Sequence, residues 1–239
     1  APTLFDCVTP GSSGTKTLEI YTYKGYVTLP GLCSTYKFWY SNCCRPPGIT
    51  NINTSNGFGN DGFFFDADLD NTLGENSSPI FISEPVRAFC VNKAFNWSQK
   101  SVEYDGDSIH YQMINCRENA YPNQANIPFD AGWSATNPVT STYFNLNPKT
   151  GTVSFFPTSQ EIDVMSIKIT EYRYDSLWNV WYPIGSSSRD MMISISANCS
   201  PAASQGVILD YNFPGQYLDS LTMLPAVDYH CGDSLIDLH

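Results

Sequence analysis

The sequence predicts an all-β protein built of sandwich modules in tandem and stapled by disulfides, and three observations carry that expectation. Fourteen Phe, fifteen Tyr and five Trp within a 42% hydrophobic composition supply ample apolar surface for packed cores. Charged residues make up only 15% of the 239 residues, against a typical ~25%; Ser, Thr, Asn, Gly and Pro fill the deficit, a mixture that favours strands and turns. Eight cysteines are present, Cys7, Cys33, Cys43, Cys44, Cys90, Cys116, Cys199 and Cys231, with no Cys-x-x-Cys pair and no zinc-like register with His110, His230 or His239. They are expected to form disulfides in an oxidising compartment, with a connectivity that spacing leaves open. Adjacent Cys43 and Cys44 would point opposite ways on a strand, so each is expected to bond a different partner.

Residues 17–29 are rich in β-branched and aromatic residues and stop at Pro30-Gly31, which predicts one or two strands ending in a turn. Tyr36–Tyr40 is a further strand, broken by the Cys43-Cys44 pair and Pro46-Pro47-Gly48. Phe63–Leu69 closes a first module, residues 1–78, before a polar stretch. A second module, 79–200, reads as seven strands at Ala88–Val91, Ser108–Ile114, Tyr143–Leu146, Thr152–Phe156, Val164–Tyr174, Val180–Ile184 and Met191–Ala197. Short strands separated by Gly, Pro, Asn and Asp clusters are the pattern of an immunoglobulin-like sandwich. Val164–Thr170 and Met192–Ser196 alternate apolar and polar residues, which predicts one buried and one wet face for each. No stretch keeps a 3.6-residue apolar period between caps, so helix is expected to be scarce. Residues 201–239 open with a linker composition and read as the start of a third module; the chain is expected to be a segment of a longer polypeptide.

Twelve Lys and Arg against twenty-three Asp and Glu give a net charge of −11, the wrong sign for holding a phosphate backbone. No apolar run approaches the ~20 residues of a membrane-spanning helix. No nucleic acid and no membrane segment are therefore expected. Gly106-Asp107-Ser108-Ile109 and Gly232-Asp233-Ser234-Leu235 imitate a hydrolase nucleophile block, but no base and orienting group can be assembled around either serine from three histidines, so no catalytic residues are assigned.

Glu103, Asp105 and Asp107 alternate, as do Asp66, Asp68 and Asp70. Extended backbone would turn each set of carboxylates to one side, as a Ca²⁺ site requires; the competing expectation is that they make turns or blunt a strand edge. Most aromatics are expected in cores. Trp178-Asn179-Val180-Trp181-Tyr182 is the exception, because a hairpin cannot bury that many rings on one face; Trp178, Trp181 and Tyr182 are candidates for a ligand or partner surface.

The segment Tyr36-Lys37-Phe38-Trp39-Tyr40-Ser41-Asn42-Cys43-Cys44-Arg45, followed by Ile49-Thr50-Asn51-Ile52, resembles a recurrent element of very large secreted Bacteroidetes surface proteins, the gliding-motility-associated adhesins exported by the type IX system. The resemblance continues through Asn76–Phe81, Phe89–Phe95, Glu103–Ile109, Phe144–Val153, Glu171-Tyr172-Arg173 and Arg189-Asp190, covering roughly residues 17–200. The Asp-Gly-Asp turn and the Asn-Pro-x-Thr-Gly hairpin also resemble the frame of cadherin-like modules. The chain departs from the pattern at Pro46, and at Glu103-Tyr104, where an Asp-Pro pair is usual; the second departure bears on calcium. Asp-Ser followed by Ile or Leu is similar to the O-glycosylation acceptor pattern of those organisms, which implies modification at Ser108, Ser176, Ser220 and Ser234; ordinary turn composition accounts for it equally. The resemblance implies a non-catalytic structural or adhesive module of a long extracellular cell-surface protein. Its expected partners are neighbouring modules of the same chain, surface glycans, or other cell-surface and secretion components. The alternative is a carbohydrate-binding accessory region of a secreted enzyme, which an exposed, coplanar aromatic row would favour.

Overall fold

The computed structural model describes residues 23–197, apart from 44, 47, 54–61, 84, 120 and 121, together with two short strands further on. Its elements are β1 (Tyr36–Asn42), β2 (Phe63–Leu69), a 3-10 turn (Asn71–Leu73), β3 (Ile80–Phe81), β4 (Val86–Cys90), β5 (Phe95–Ser98), β6 (Ser101–Val102), β7 (Ser108–Ile114), β8 (Arg117–Glu118), β9 (Ala125–Asn126), β10 (Ser141–Leu146), β11 (Thr152–Pro157), β12 (Glu161–Asp175), β13 (Val180–Ser196), β14 (Ile208–Leu209) and β15 (Tyr217–Leu218). The described residues contain no α-helix, and the chain is all-β as expected.

A six-stranded sheet runs β1-β2-β13-β12-β7, with β4 pairing parallel to the far half of β13, and a three-stranded sheet runs β10-β11-β5. Their facing sides enclose one core. Met165, Ile167 and Ile169 of β12 and Met191, Ile193 and Ile195 of β13 meet Trp97 of β5 and Val153 and Phe155 of β11 there. The alternation along β12 and β13 sets this up, since every second residue turns to the same side. Each such aliphatic side chain removed from water contributes roughly 1.5–3 kcal/mol. Phe89 closes the core with its ring 4.8 Å from Phe155 and 5.4 Å from Trp97. Gly151 ends the β10–β11 turn with φ at +67°, and a Cβ there would lie 2.6 Å from the Tyr111 ring, so both backbone and space demand glycine.

The sequence expectation differs from the fold in three places. Residues 36–69 do not form a sandwich of their own: β2 pairs with β13 through Leu69–Gly185, Asp68–Ser186 and Ala67–Ser187, so the β1–β2 hairpin widens the second module's sheet. The even-numbered face of β12 is wet only in part, with Lys168 and Thr170 half-buried and Val164 and Ser166 before them covered. Ile52, Cys116 and Ile127 pack on Val164, and Ser166 is buried. Strands expected separately at 180–184 and 191–197 are one strand, because serines that read as a break find partners on β2.

Cys43 and Cys90 are each disulfide-bonded, and not to one another. Cys33 and Cys116 are free thiols, against expectation: Cys33 lies 3.4 Å from the Thr35 hydroxyl, and Cys116 is sealed beside Ser166, where burial pushes its pKa up to about 12. The other cysteines, residues 17–22 and nearly all of the 201–239 tail lie outside the described residues; residues 23–29, expected to be part of one or two strands, are described and form none, because no neighbouring strand pairs with them.

Candidate functional site

The latch, the acidic turn and the aromatic finger

The Cys-Cys-Arg segment is an anchor. Arg45 donates to both Asp190 carboxylate oxygens at 2.8 and 2.6 Å and to the Gly62 carbonyl at 3.1 Å, and Ser166 Oγ donates to the same Asp190 at 3.1 Å. The pair is buried, so its bidentate geometry and the added hydrogen bonds are what offset desolvation. Asn51, fully buried, accepts from Val164 N and donates to the carbonyls of Val164 and Pro138, tying the same segment to β12.

Beside the latch, Asp66 and Asp68 do not form a calcium site. Lys37 bonds both; Arg117 donates to Asp66 at 3.0 and 2.6 Å, Lys168 lies 3.4 Å from Asp68, and Ser188 and Ser186 complete the shells. Burial alone would raise the Asp66 carboxyl, but hydrogen bonds from Arg117, Ser188 and Lys37 outweigh it and hold the pKa far below the ordinary value. Asp70 turns away and accepts from Thr72 N, capping the 3-10 turn. Cationic side chains therefore stand where an ion would.

The other acidic cluster occupies the 103–107 turn between β6 and β7. Glu103 accepts from the amides of Asp105, Gly106 and Asp107 at 2.6, 2.7 and 2.8 Å, and Gly106 supplies the required positive φ of 82°. Asp107 receives a fork from Arg173, and Asp105 bonds the Ser77 amide. Asp105 does not join the other two. Instead Glu171 does: one oxygen each from Glu103, Asp107 and Glu171 lies within 4.8 Å of the others. Glu171 is fully buried, and among the described residues only Asn76 donates to it, at 3.2 and 3.3 Å. Burial first, and then the charges of Asp107, Glu103 and Asp105, raise its pKa to about 7. Gly185 makes room for it, because a Cβ there would lie 2.6 Å from the Glu171 carboxylate. Parity could have found Glu171, which continues the buried series Met165, Ile167, Ile169.

Past Glu171 the register of β12 against β13 shifts, so that Tyr172 faces Pro183, and the two strands run on as a finger. Such an irregularity re-aims the strands beyond it, and it accommodates a proline lacking N–H. At the tip Asp175 accepts from the amides of Leu177 and Trp178, while Asn179 takes φ 55°. Leu177 is 89% exposed, Trp178 74% and Trp181 52%. Tyr174 and Trp181 lie 5.1 Å apart with planes tilted by 47°, so the rings do not form a coplanar row. A cleft of ≈ 640 Å³ on one side of the base is lined by Ser108, Ile109, His110, Lys149, Tyr172 and Trp181. A smaller one, ≈ 240 Å³, is lined by Leu73, Arg173, Tyr174, Asp175, Ser176 and Tyr182. Ser108 and Ser176 are thus exposed at the two clefts, whereas Ser220 and Ser234 lie outside the described residues. The chain matches no protein-family model and no curated protein. No helix among the described residues is long and apolar enough to cross a membrane.

Proposed function

We propose that this chain is a structural and adhesive module of an extracellular cell-surface protein, an immunoglobulin-like, disulfide-stapled sandwich that holds an aromatic finger out to a partner. The observation that carries it is the finger: Leu177, Trp178 and Trp181 stand in solvent at the end of strands of 15 and 17 residues. Contiguous exposed apolar surface is disfavoured in a protein with no use for it and marks contact sites. The strand order supports the architecture. β13-β12-β7 against β10-β11-β5, with β4 parallel on β13, corresponds to the G-F-C and D-E-B arrangement of that fold, with a first strand shifted onto G. Bonded Cys43 and Cys90 support an oxidising location. For calcium to bind at Glu103, Asp107 and Glu171, Asp107 must exchange Arg173 for the ion; a Tm identical in chelator and in millimolar Ca²⁺ removes calcium from the proposal.

The test is adhesion of beads coated with the intact protein to bacterial cells and to bare surfaces, comparing wild type with Trp178→Ala. A hot-spot tryptophan contributes at least ~2 kcal/mol, so retention is expected to fall about thirtyfold at unchanged Tm. Equal retention by the two proteins sinks the proposal.

A further inference from the structure

We propose that the larger cleft at the base of the finger binds an uncharged sugar residue of a glycan, stacked against Trp181. This deepens the adhesive reading of the same end of the molecule and rests on it.

Three elements build the cleft. The start of β7 supplies Ser108 and His110, the β10–β11 turn supplies Lys149, and the base of the finger supplies Tyr172 and Trp181. The turn is held in place from both sides: Asn147 Oδ1 accepts from the amides of Lys149 and Thr150, and the Pro148 carbonyl accepts from Tyr111 N at 2.8 Å. The finger side is set by the register shift at Glu171/Tyr172. Lys149 and the two rings therefore sit on a rigid frame, although all of them face solvent at least in part.

The lining has the chemistry of a sugar site. An aromatic ring presents an apolar face to the C–H face of a pyranose, and hydroxyls around that ring need donors and acceptors at the rim. The Ser108 hydroxyl, the His110 imidazole and the Lys149 ammonium make no hydrogen bond with any described residue, so all three are available. A volume of ≈ 640 Å³ lies within the ~300–1,000 Å³ of small-ligand sites, and the cleft is open enough to solvent for one residue of a longer glycan to enter while the rest stays outside. Charge selects among sugars. The carboxylates of Glu103, Asp105 and Asp107 immediately precede Ser108, and the chain carries −11, which repels an acidic sugar; Lys149 at the rim repels a cationic one.

The experiment presents immobilised neutral gluco-, manno- and galacto-oligosaccharides to the intact protein, with an oligogalacturonide as the acidic control, and follows tryptophan emission on titration. At least one neutral probe is expected to bind and shift the emission. Trp181→Ala is expected to weaken it about thirtyfold and Lys149→Gln about tenfold, while Tyr143→Ser, on β10 and outside the cleft, leaves it unchanged. Tm of each variant separates lost binding from lost folding, and Trp181→Phe is expected to recover most of the affinity. No neutral binding, binding indifferent to Trp181, or preference for the acidic probe each overturns the inference. Adhesion that needs Trp178 in a protein that binds none of the panel overturns this inference and leaves the proposed function standing. Adhesion indifferent to Trp178 overturns the function whatever the panel shows.

Discussion

The two faces of the β12–β13 ribbon carry the same kind of group under opposite conditions. On one face Asp190, together with Asp66 and Asp68 from the neighbouring β2, meets Arg45, Arg117, Lys37 and Lys168, and the carboxyls of Asp66 and Asp68 are held below their ordinary values. On the core side Glu161, Asp163 and Glu171 are buried with no cation within ion-pair distance among the described residues, and Asp163 and Glu171 are raised to about 9 and about 7. Neither Asp163 oxygen has a hydrogen-bond partner among the described residues, and burial first, then the neighbouring Glu161, raises the acid. Identical chemistry thus becomes a latch or a cost to stability according to which side of the strand it occupies.

The contrast is broken most severely at the latch. Arg45→Ala leaves the Asp190 carboxylate buried and unpaired, and an expected loss of about 3–5 kcal/mol is read from urea midpoints; the double variant Arg45→Met with Asp190→Leu should recover most of it. A single variant as stable as wild type would show the latch to be ornamental.

Asp163→Asn comes next and has the opposite sign. With a folded pKa near 9 and an unfolded value of ~3.9, the aspartate must regain a proton on folding throughout the interval between them, so stability falls by ~1.4 kcal/mol per pH unit there and is unaffected below it. The asparagine variant is expected to unfold at the wild-type temperature near pH 4 and to exceed it at pH 8 by an amount on the order of several kcal/mol. A constant difference across that range would remove Asp163 as the titrating group.

Glu171→Gln sharpens the comparison with the smallest effect. Its window closes near pH 7, so the variant should gain on the order of 2–3 kcal/mol between the ordinary glutamate range and neutrality and nothing further above. Calorimetry at pH 5, 7 and 9 distinguishes this plateau from the continued decline expected of Asp163.

Much of the fold was legible because it is local. β7 and β2 fall where the sequence expects them, and β12 is recognisable from alternation alone. β5 has little signature of its own, since Phe95–Ser98 is four residues long and is made a strand by pairing with β11. Gly185-Ser186-Ser187-Ser188 reads as a break yet continues β13, because Ser186 and Ser188 find the carboxylates of Asp68 and Asp66. The finger was legible as a surplus of rings. Of the six carboxylates read as alternating sets, Glu103 and Asp107 converge, with Glu171 rather than Asp105 as the third, and Asp66, Asp68 and Asp70 are otherwise engaged.

What the sequence determined by itself is period and composition: strands, turns, the side of a strand on which each residue falls, and the excess of aromatics at one hairpin. These follow from steric preferences that act over a few residues. Which carboxylate meets a cation was decided only by the tertiary structure. Arg45 and Asp190 are 145 positions apart, Arg117 and Asp66 are 51, and Arg173 and Asp107 are 66. A charge pattern carries no record of such pairings, because the energy of an ion depends on its burial and its neighbours, and both exist only after the chain has closed on itself.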